Sequence, residues 1–162
     1  NPAKPLRNPR KGRSLPHFLS AEDIGRLLNA PSSDDPMGMR DRAILETMYS
    51  AGLRVSEVVG LNDGDIDFEA GILRIRGKGR KERVVPIGRK ALDAIDAYLQ
   101  SKKKHHDAAV FTGPAGNRLT PRTVQRILEK YRKKIDEIDE EIIKSIIKRF
   151  KIVEEIKKIK KE

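Results

Sequence analysis

Apolar residues recur every three or four positions through most of residues 17–134, and they alternate with polar residues only in a short central stretch. The first spacing predicts amphipathic helices, and the second predicts half-buried strands. Ser20 has the side chain of a helix N-cap, and Thr120 followed by a proline marks another helix start. The predicted helices follow Ser20, cover about 39–51, 54–60 and 89–100, and resume after Thr120.

The central stretch predicts a small antiparallel sheet. Ile66 and Phe68 alternate with aspartates, a Glu-Ala-Gly turn leads into 72–76, and 83–87 follows a connection rich in glycine and lysine. These segments predict three short strands. Together with the flanking helices they give an α+β fold class: a helical domain with a small three-stranded antiparallel sheet.

The hydrophobic pattern continues past residue 134 with a different choice of residues. Residues 135–162 contain nine isoleucines and no leucine, alanine, glycine or proline, whereas residues 1–134 contain 13 leucines and eight isoleucines. Their apolar spacing of three and four predicts one long amphipathic helix, or two with a break near Lys151. We interpret 17–134 as a globular domain and 135–162 as a separate helical segment, grafted or designed in character.

The charge of the chain is strongly positive. Its 35 Lys and Arg against 24 Asp and Glu give a formal net charge of +11. Residues 135–162 contain eight basic and eight acidic residues, so the excess belongs to 1–134. A polyanionic partner such as nucleic acid fits this excess, although a solvated lysine-rich surface gives the same count. With only 4% aromatic residues, base stacking on a single strand is disfavoured, so a nucleic-acid partner is expected to be double-stranded DNA rather than a single strand.

Composition also excludes several classes of protein. The chain has no cysteine, which excludes disulfide scaffolds, thiolate metal sites and cysteine nucleophiles. His105 and His106 have no third ligand suggested nearby, and 63–67 lacks the spacing of a calcium loop, so we expect no metal and no cofactor. No apolar run is long enough to span a membrane, and the first residues contain no apolar signal-peptide core. We therefore expect a cytoplasmic, nucleoid-associated protein without membrane contact.

Residues 1–16 have the composition of a basic arm or interdomain linker. They contain four prolines and five Lys or Arg with no acid. Such a stretch cannot bury apolar surface. It either lies along DNA phosphates or simply tethers two domains, and the two roles are compatible.

Two stretches carry the candidate chemistry. Arg54 opens a short helix, and Glu57 follows one turn later, where its carboxylate can hold the guanidinium. A fixed arginine at a helix start suits a phosphate or an oxyanion, although a plain surface ion pair is the alternative. Residues 74–87 place a dense set of cations on a hairpin whose tip contains Lys78 between two glycines. This hairpin either approaches a phosphate backbone or is a solvated sheet edge protected by its charges.

These stretches together resemble the tyrosine recombinase (phage-integrase) family, in particular its Xer-like members. The resemblance covers about residues 1–134 and rests on AGLRVSE at 51–57, GKGRKER at 77–83 and the LTPRTVQRILEKY helix. It implies a DNA breaking and rejoining enzyme in which a tyrosine attacks the scissile phosphate. It also implies that Arg54 neutralises the phosphate, that Lys78 gives a proton to the leaving oxygen, and that Glu57 braces Arg54.

The chain departs from the family pattern after residue 134. The family continues with a His-x-x-Arg box, a further His or Trp, and the nucleophilic tyrosine, and none of these is present. Tyr49, Tyr98 and Tyr131 all lie upstream in predicted helices, where we expect each to pack in the core. We therefore expect a partial catalytic domain that does not cleave DNA alone, unless other chains supply the missing groups in trans.

DNA contact does not require the missing residues. We expect it from the arm, the hairpin and the start of the helix after Thr120, although exposed helix positions are often merely solvated. The candidate DNA-binding residues are Arg80, Lys81, Arg83, Arg122, Thr123 and Arg126.

Two functions from different classes follow. The first is a catalytically inactive DNA-binding fragment of a recombinase. The second is a scaffold that self-associates, or binds a full-length recombinase, through the isoleucine-rich helix and retains only residual DNA affinity. Removal of the family's last helices would expose apolar faces, so we expect 135–162 to pack back onto the domain or to pair with another copy.

Overall fold

The structure is a computed structural model, and it describes residues 19–77, 82–102 and 108–159. Three helices come first, a three-stranded antiparallel sheet follows, and two further helices complete the described part of the chain, which confirms the predicted α+β class. The elements are α1 (Ala21–Asn29), α2 (Pro36–Ala51), α3 (Val55–Gly60), a 3-10 turn (Asp63–Asp65), β1 (Ile66–Asp67), β2 (Ile72–Arg76), β3 (Glu82–Pro86), α4 (Arg89–Ser101) and α5 (Pro121–Ile159). The strand order is β1-β2-β3.

Side-chain caps define where the first two helices begin. The Ser20 hydroxyl accepts from the backbone N–H of Asp23 at 3.0 Å, and the Asp23 carboxylate accepts in return from the backbone N–H of Ser20. The Asp35 carboxylate accepts from the first two free N–H groups of α2. With Pro36 at the first helical position, α2 begins earlier than the predicted residue 39.

Two glycines are required by the backbone around α2. Gly52 ends the helix with φ of 60°, the left-handed conformation that glycine adopts without cost. A side chain on Gly38 would put its Cβ 2.1 Å from the backbone carbonyl oxygen of Ser32. The 30–35 loop can therefore fold back against the helix only because residue 38 is a glycine and has no side chain.

The core lies between α2, α4, the inner face of the sheet and the first turns of α5. Ile44, Val58, Leu73 and Ile95 are fully or almost fully buried there. In the sheet, β2 alternates buried and exposed side chains, as expected for a strand with one face on the core. The apolar spacing that predicts a helix after Thr120 corresponds to one face of α5, where Val124, Ile127 and Tyr131 are buried and Leu128 is partly buried.

A buried polar network ties α2 to α5. The Asp41 carboxylate accepts from the Arg40 guanidinium at 2.6 and 3.0 Å and from the Tyr131 hydroxyl at 3.0 Å. Arg40 also donates to the backbone carbonyl of Thr112, whose hydroxyl lies 3.2 Å from the Tyr98 hydroxyl. Burial and the neighbouring Asp41 charge raise the pKa of Tyr131. The network places this tyrosine in a structural role.

The expectation that all three tyrosines pack in the core is wrong for one of them. Tyr98 and Tyr131 are buried, whereas Tyr49 is 60% exposed. Tyr49 follows the buried run of α2 by two positions and turns toward a cleft bordered by Leu28 and Lys90. Helical spacing alone does not determine whether a tyrosine at the edge of a buried face is itself buried or exposed.

Helix α5 is continuous from Pro121 to Ile159. It therefore passes from the predicted domain into the isoleucine-rich segment without interruption. Ile135 still packs against the core, and the Arg26 guanidinium of α1 donates to Asp139 at 2.9 Å. A domain boundary near residue 134 stays a prediction. Within the described parts of the chain, no helix has both the length and the apolar character needed to cross a bilayer.

Candidate nucleic-acid interface

A buried carboxylate joins two arginines from different elements. Glu57, on the first turn of α3, accepts from the Arg83 guanidinium at 2.6 and 3.0 Å, one bond to each carboxylate oxygen. It also accepts from the Arg54 backbone N–H at 2.9 Å and from the Arg54 guanidinium at 3.2 Å. The predicted contact between Arg54 and Glu57 is present, and β3 supplies a second arginine to the same carboxylate.

Charge keeps Glu57 ionised in this buried position. Hydrogen bonds from Arg83 lower the pKa of Glu57 to about 2, while burial acts in the opposite direction. The paired carboxylate in turn raises the pKa of Arg83. At neutral pH the cluster therefore holds one negative and two positive charges, so it presents a net positive charge.

The two arginines differ in how far they reach toward solvent. The Arg54 side chain is 79% exposed and the Arg83 side chain is 41% exposed, whereas Glu57 is only 6% exposed. The carboxylate thus serves as the internal anchor, and the guanidinium groups form the surface. Donors held in this way, with spare N–H groups facing water, suit an anion such as a phosphate.

The base of the hairpin is fixed by a second set of ion pairs. Arg76 at the end of β2 donates to Asp65 at 3.2 Å and to Glu82 at the start of β3 at 3.3 Å. Asp65 is buried and also accepts from the backbone N–H of Asn62. Arg76 therefore stabilises the base of the hairpin through these two carboxylates, whereas Arg83 is the hairpin arginine that contacts Glu57.

The tip of the hairpin lies outside the described residues. Lys78, the candidate proton donor, and the candidate DNA contacts Arg80 and Lys81 fall in this part of the chain. Their predicted roles remain predictions. The described residue nearest to them in the candidate site is Arg83.

Arg118 holds the opposite end of α3, a contact that sequence reasoning missed. Its guanidinium donates to the backbone carbonyls of Val59 and Leu61 at 2.8 and 3.1 Å and to the Asn62 side-chain oxygen at 2.6 Å. Val59 lies in the last turn of α3, where carbonyls lack intrahelical donors, and Leu61 caps the helix and also accepts from the backbone N–H of Val110. An arginine shortly before a capping threonine has no distinctive spacing, so the sequence offered no signal for this contact.

The start of α5 supplies the remaining candidate DNA contacts. Arg122 and Arg126 are exposed and lie one turn apart. Within the described residues neither forms a hydrogen bond or an ion pair, so both guanidinium groups are available to a ligand. Thr123 differs, because its hydroxyl lies 3.0 Å from the Thr120 hydroxyl within the helix cap.

The fold and the site together define a class of protein. It is an α+β domain in which one buried carboxylate holds two arginines at the start of a helix. Comparison with known proteins then gives the family. The model of the phage integrase family matches residues 17–144, most of the chain, so the chain belongs to the phage integrase family. This confirms the resemblance to tyrosine recombinases, and the match continues past residue 134.

Relatives and solved structures agree with this assignment. Tyrosine recombinase XerC of Syntrophus aciditrophicus is 46% identical over 140 residues, which cover 81% of this chain and 45% of that relative. The crystal structure of XerA recombinase has a TM-score of 0.67 and 27% identity, and the match covers 75% of this chain and 44% of that one. XerH recombinase bound to its palindromic difH substrate shares the fold, with a TM-score of 0.61 and 22% identity over 75% of this chain and 37% of that one. The chain spans less than half the length of these proteins.

Proposed function

We propose that this chain binds double-stranded DNA as part of a tyrosine recombinase catalytic domain, and that Arg54 and Lys78 contact the phosphate at which such enzymes act. The Glu57-braced pair of Arg54 and Arg83 is the observation that carries this proposal. Two guanidinium groups share one buried carboxylate and present their remaining donors at the surface. Family membership and the DNA-bound XerH structure support the same ligand.

The proposed DNA surface extends from this pair to the start of α5. Arg122 and Arg126 provide exposed cations there, and α3 and α5 pack against each other. We propose Arg80, Lys81 and Arg83 as contacts from the hairpin, with Thr123 acting mainly through the helix cap. Such contacts to phosphates fix the position of a duplex without reading its sequence. A DNA-acting protein of this kind belongs in the cytoplasm, at the nucleoid.

We propose that the chain does not cleave DNA by itself. Phosphoryl transfer by this family requires a tyrosine nucleophile. Tyr98 and Tyr131 are buried in the network around Asp41 and Thr112. Tyr49 is exposed, but it lines the cleft beside Leu28 and Lys90 and not the cluster around Glu57. A suicide duplex with a nick beside a scissile phosphate tests this proposal. We expect no covalent protein–DNA product from the chain alone, and formation of such a product would overturn the proposal.

Duplex binding is tested by fluorescence anisotropy across a series of salt concentrations. Arg54→Ala removes a side chain that is largely exposed, so we expect folding to be retained and affinity to fall about tenfold, the cost of losing a charged hydrogen bond. We also expect the slope of log affinity against log salt to become less negative by about 0.9, corresponding to one phosphate contact.

Arg89→Ala is the matched control for this experiment. Arg89 is 84% exposed and pairs with Asp93 one turn along α4, much as Arg54 pairs with Glu57. Equal losses in both variants would show that only general charge matters. Absence of salt-dependent duplex binding by the unmodified chain would overturn the proposed function.

A second candidate function, self-association through α5, is favoured by its exposed isoleucines. Ile138, Ile142, Ile143, Ile146 and Ile147 are each between 46% and 57% exposed. A run of this kind on one helix is typical of an interaction surface. We infer that a second copy of the chain, or a full-length recombinase, covers it.

A further inference from the structure

A cleft that shares no lining residue with the Glu57 cluster opens between α1, α2 and α4. Its volume is about 510 Å³, a size typical of small-molecule sites. The apolar part of its lining includes Leu28, Met39, Ala94 and Ala97. A few polar and charged side chains complete the lining, and one of them is unusual.

Glu46 of α2 lines this cleft and has a buried carboxylate without a partner. The described residues include four buried carboxylates, and three of them accept a hydrogen bond from an arginine. These three are Asp41, Glu57 and Asp65. Glu46 is only 7% exposed and, within the same residues, forms no hydrogen bond or ion pair. A carboxylate buried to this degree is costly unless a positive charge approaches it.

The Glu46 carboxylate faces the cleft. In the described part of the chain, every side-chain oxygen that a buried or half-buried residue shields from solvent has a hydrogen-bond partner. The Glu46 oxygens have no partner, so solvent must reach them, and the cleft is the opening that Glu46 lines. The wall of the cleft therefore holds a negative charge that a positively charged nitrogen of a ligand can neutralise.

Two cations line the same cleft without contacting Glu46. Arg42, one turn earlier on α2, makes a single hydrogen bond within the described residues, of 3.4 Å to α1. Lys90 of α4 makes none there. The other acid of the lining, Asp93, accepts from Arg89 at 2.9 Å. The cleft thus combines one unpaired carboxylate with spare guanidinium and ammonium donors.

We propose that this cleft binds a free α-amino acid with a large apolar side chain. The ammonium group of the ligand lies at Glu46 and its carboxylate at Arg42, whose planar guanidinium suits a carboxylate. Residues one turn apart have Cβ atoms about 5–6 Å from each other, and the ligand carries both of its charges on one carbon. Its side chain packs against Leu28 and Ala94. Binding of this ligand is independent of the DNA function proposed above.

L-tryptophan is a suitable probe because the chain contains three tyrosines and no tryptophan. The fluorescence anisotropy of the probe therefore reports binding with little background. We expect it to rise saturably with the concentration of the chain, and L-leucine but not L-serine to reverse it. Tryptamine lacks the carboxylate and indole-3-propionate lacks the ammonium group. Each should bind about tenfold more weakly than L-tryptophan, the cost of one hydrogen bond between charged groups.

Two variants assign the charges of the ligand. Glu46→Gln keeps the shape of the side chain and breaks no bond within the described residues, so it should fold and bind L-tryptophan about tenfold more weakly. It should bind indole-3-propionate no more weakly than the original chain does. Arg42→Gln should weaken L-tryptophan by a similar factor and leave tryptamine unchanged. Glu22→Gln, at an exposed acid of α1 outside the cleft, is the control and should leave all three ligands unchanged.

Filling the cleft gives a test that does not depend on charge. Gly25 of α1 lines the cleft and has open space where a Cβ would stand. A leucine at this position can extend over the cleft without a clash, and it suits a helix better than glycine does. Gly25→Leu should therefore fold, as circular dichroism verifies, and lose L-tryptophan binding.

Three results would overturn the proposal. The first is that L-tryptophan does not bind the original chain. The second is equal binding by the original chain and the Glu46→Gln variant, and the third is binding that survives Gly25→Leu, which would place the ligand elsewhere. All of these variants keep Arg54 and Arg83, so duplex affinity of the same samples reports separately on the DNA function.

Discussion

Glu57 and Arg83 connect the third helix to the third strand through two hydrogen bonds, of 2.6 and 3.0 Å, one at each oxygen of the carboxylate. The pair is 26 residues apart in sequence, and one partner is buried while the other reaches solvent. Because the geometry is bidentate, it fixes both the distance and the orientation of the hairpin base relative to α3. The candidate phosphate site therefore depends on a contact between two elements, not on a single motif.

Replacing Glu57 with glutamine tests the anchor. The amide keeps the shape of the side chain but cannot balance two guanidinium groups, so we expect the free energy of unfolding at pH 7 to fall by about 1–3 kcal/mol. Glu22→Gln is the control, since Glu22 is 75% exposed in its pair with Arg26 and such pairs contribute little. Urea unfolding at pH 7 measures both, and equal stability of the Glu57→Gln variant and the original chain would contradict the anchoring role.

The same carboxylate predicts how stability changes with pH. The folded pKa of Glu57, about 2, lies below its ordinary value of 4.5, so its contribution is present above pH 4.5 and is lost as the pH falls toward 2. The difference in unfolding free energy between the original chain and the Glu57→Gln variant should therefore shrink from pH 7 to pH 3. A difference that stays constant over this range would show that the Glu57 charge does not stabilise the fold.

The two arginines should separate stability from DNA affinity. Arg83→Ala leaves a buried carboxylate with one weaker partner, so we expect both the melting temperature and the duplex affinity to fall. Arg54→Ala leaves the bidentate pair intact and should change affinity alone. Thermal unfolding and anisotropy on the same samples check this, and a large loss of stability in the Arg54→Ala variant would contradict it.

Arg118 should act on DNA binding by positioning α3. In Arg118→Met the Val59 carbonyl loses this donor and the Leu61 carbonyl keeps only the backbone N–H of Val110, so we expect Arg54 at the other end of α3 to be held less firmly. We expect Arg54→Ala to cause little further loss of affinity in the Arg118→Met background, whereas Arg122→Ala should cause its usual loss. The coupling is measured by a double-mutant cycle on duplex affinity.

A general structural role for Arg118 would give a different result. Loss of overall stability would reduce binding through every contact alike, so Arg54→Ala and Arg122→Ala would then couple equally to Arg118→Met. Arg118→Lys keeps the positive charge but cannot span both carbonyls and Asn62. It should therefore resemble Arg118→Met, which separates geometry from charge.

The start of α5 should contribute to affinity through charge alone. Arg122→Ala with Arg126→Ala removes two exposed cations from the helix surface without affecting the Thr120 cap. We expect the salt slope to become less negative by about 1.8, corresponding to two phosphates, with no change in melting temperature. Lys133→Ala, another exposed cation two turns further along α5, is the control. An unchanged slope in the double variant would place the duplex elsewhere.

Local patterns in the sequence predicted most of the fold. The Ser20 cap, the alternation in β2 and the helix after Thr120 each depend on residues within a few positions of one another, and all are present. The pairing of Arg54 with Glu57 was predictable for the same reason. Local spacing also predicted strand β3, although the observed strand, Glu82–Pro86, begins and ends one residue before the predicted 83–87.

Contacts between distant elements were beyond what these patterns could predict. Arg83 was expected at DNA only because it is one of several cations on the hairpin, and nothing in the spacing directed it to Glu57. The same holds for Arg118 on α3 and for Asp41 with Tyr131, which are 90 residues apart. Such contacts are set by how the helices and strands pack, which single-sequence periodicity does not encode.

The hydrogen bond between Tyr131 and Asp41 gives a last prediction, on the join between α2 and α5. Burial and the Asp41 charge raise the pKa of Tyr131 above the ordinary tyrosine value of 10.0, so in the folded chain its hydroxyl should stay neutral at pH 10. Tyr131→Phe removes one donor from a buried carboxylate that retains Arg40, and should lower the free energy of unfolding by about 1–2 kcal/mol. Ultraviolet absorbance titration and urea unfolding measure the two effects, and Tyr49→Phe, at an exposed tyrosine, is the control that should leave stability unchanged. If Tyr131→Phe were as stable as the original chain, the α2–α5 join would depend on apolar packing alone.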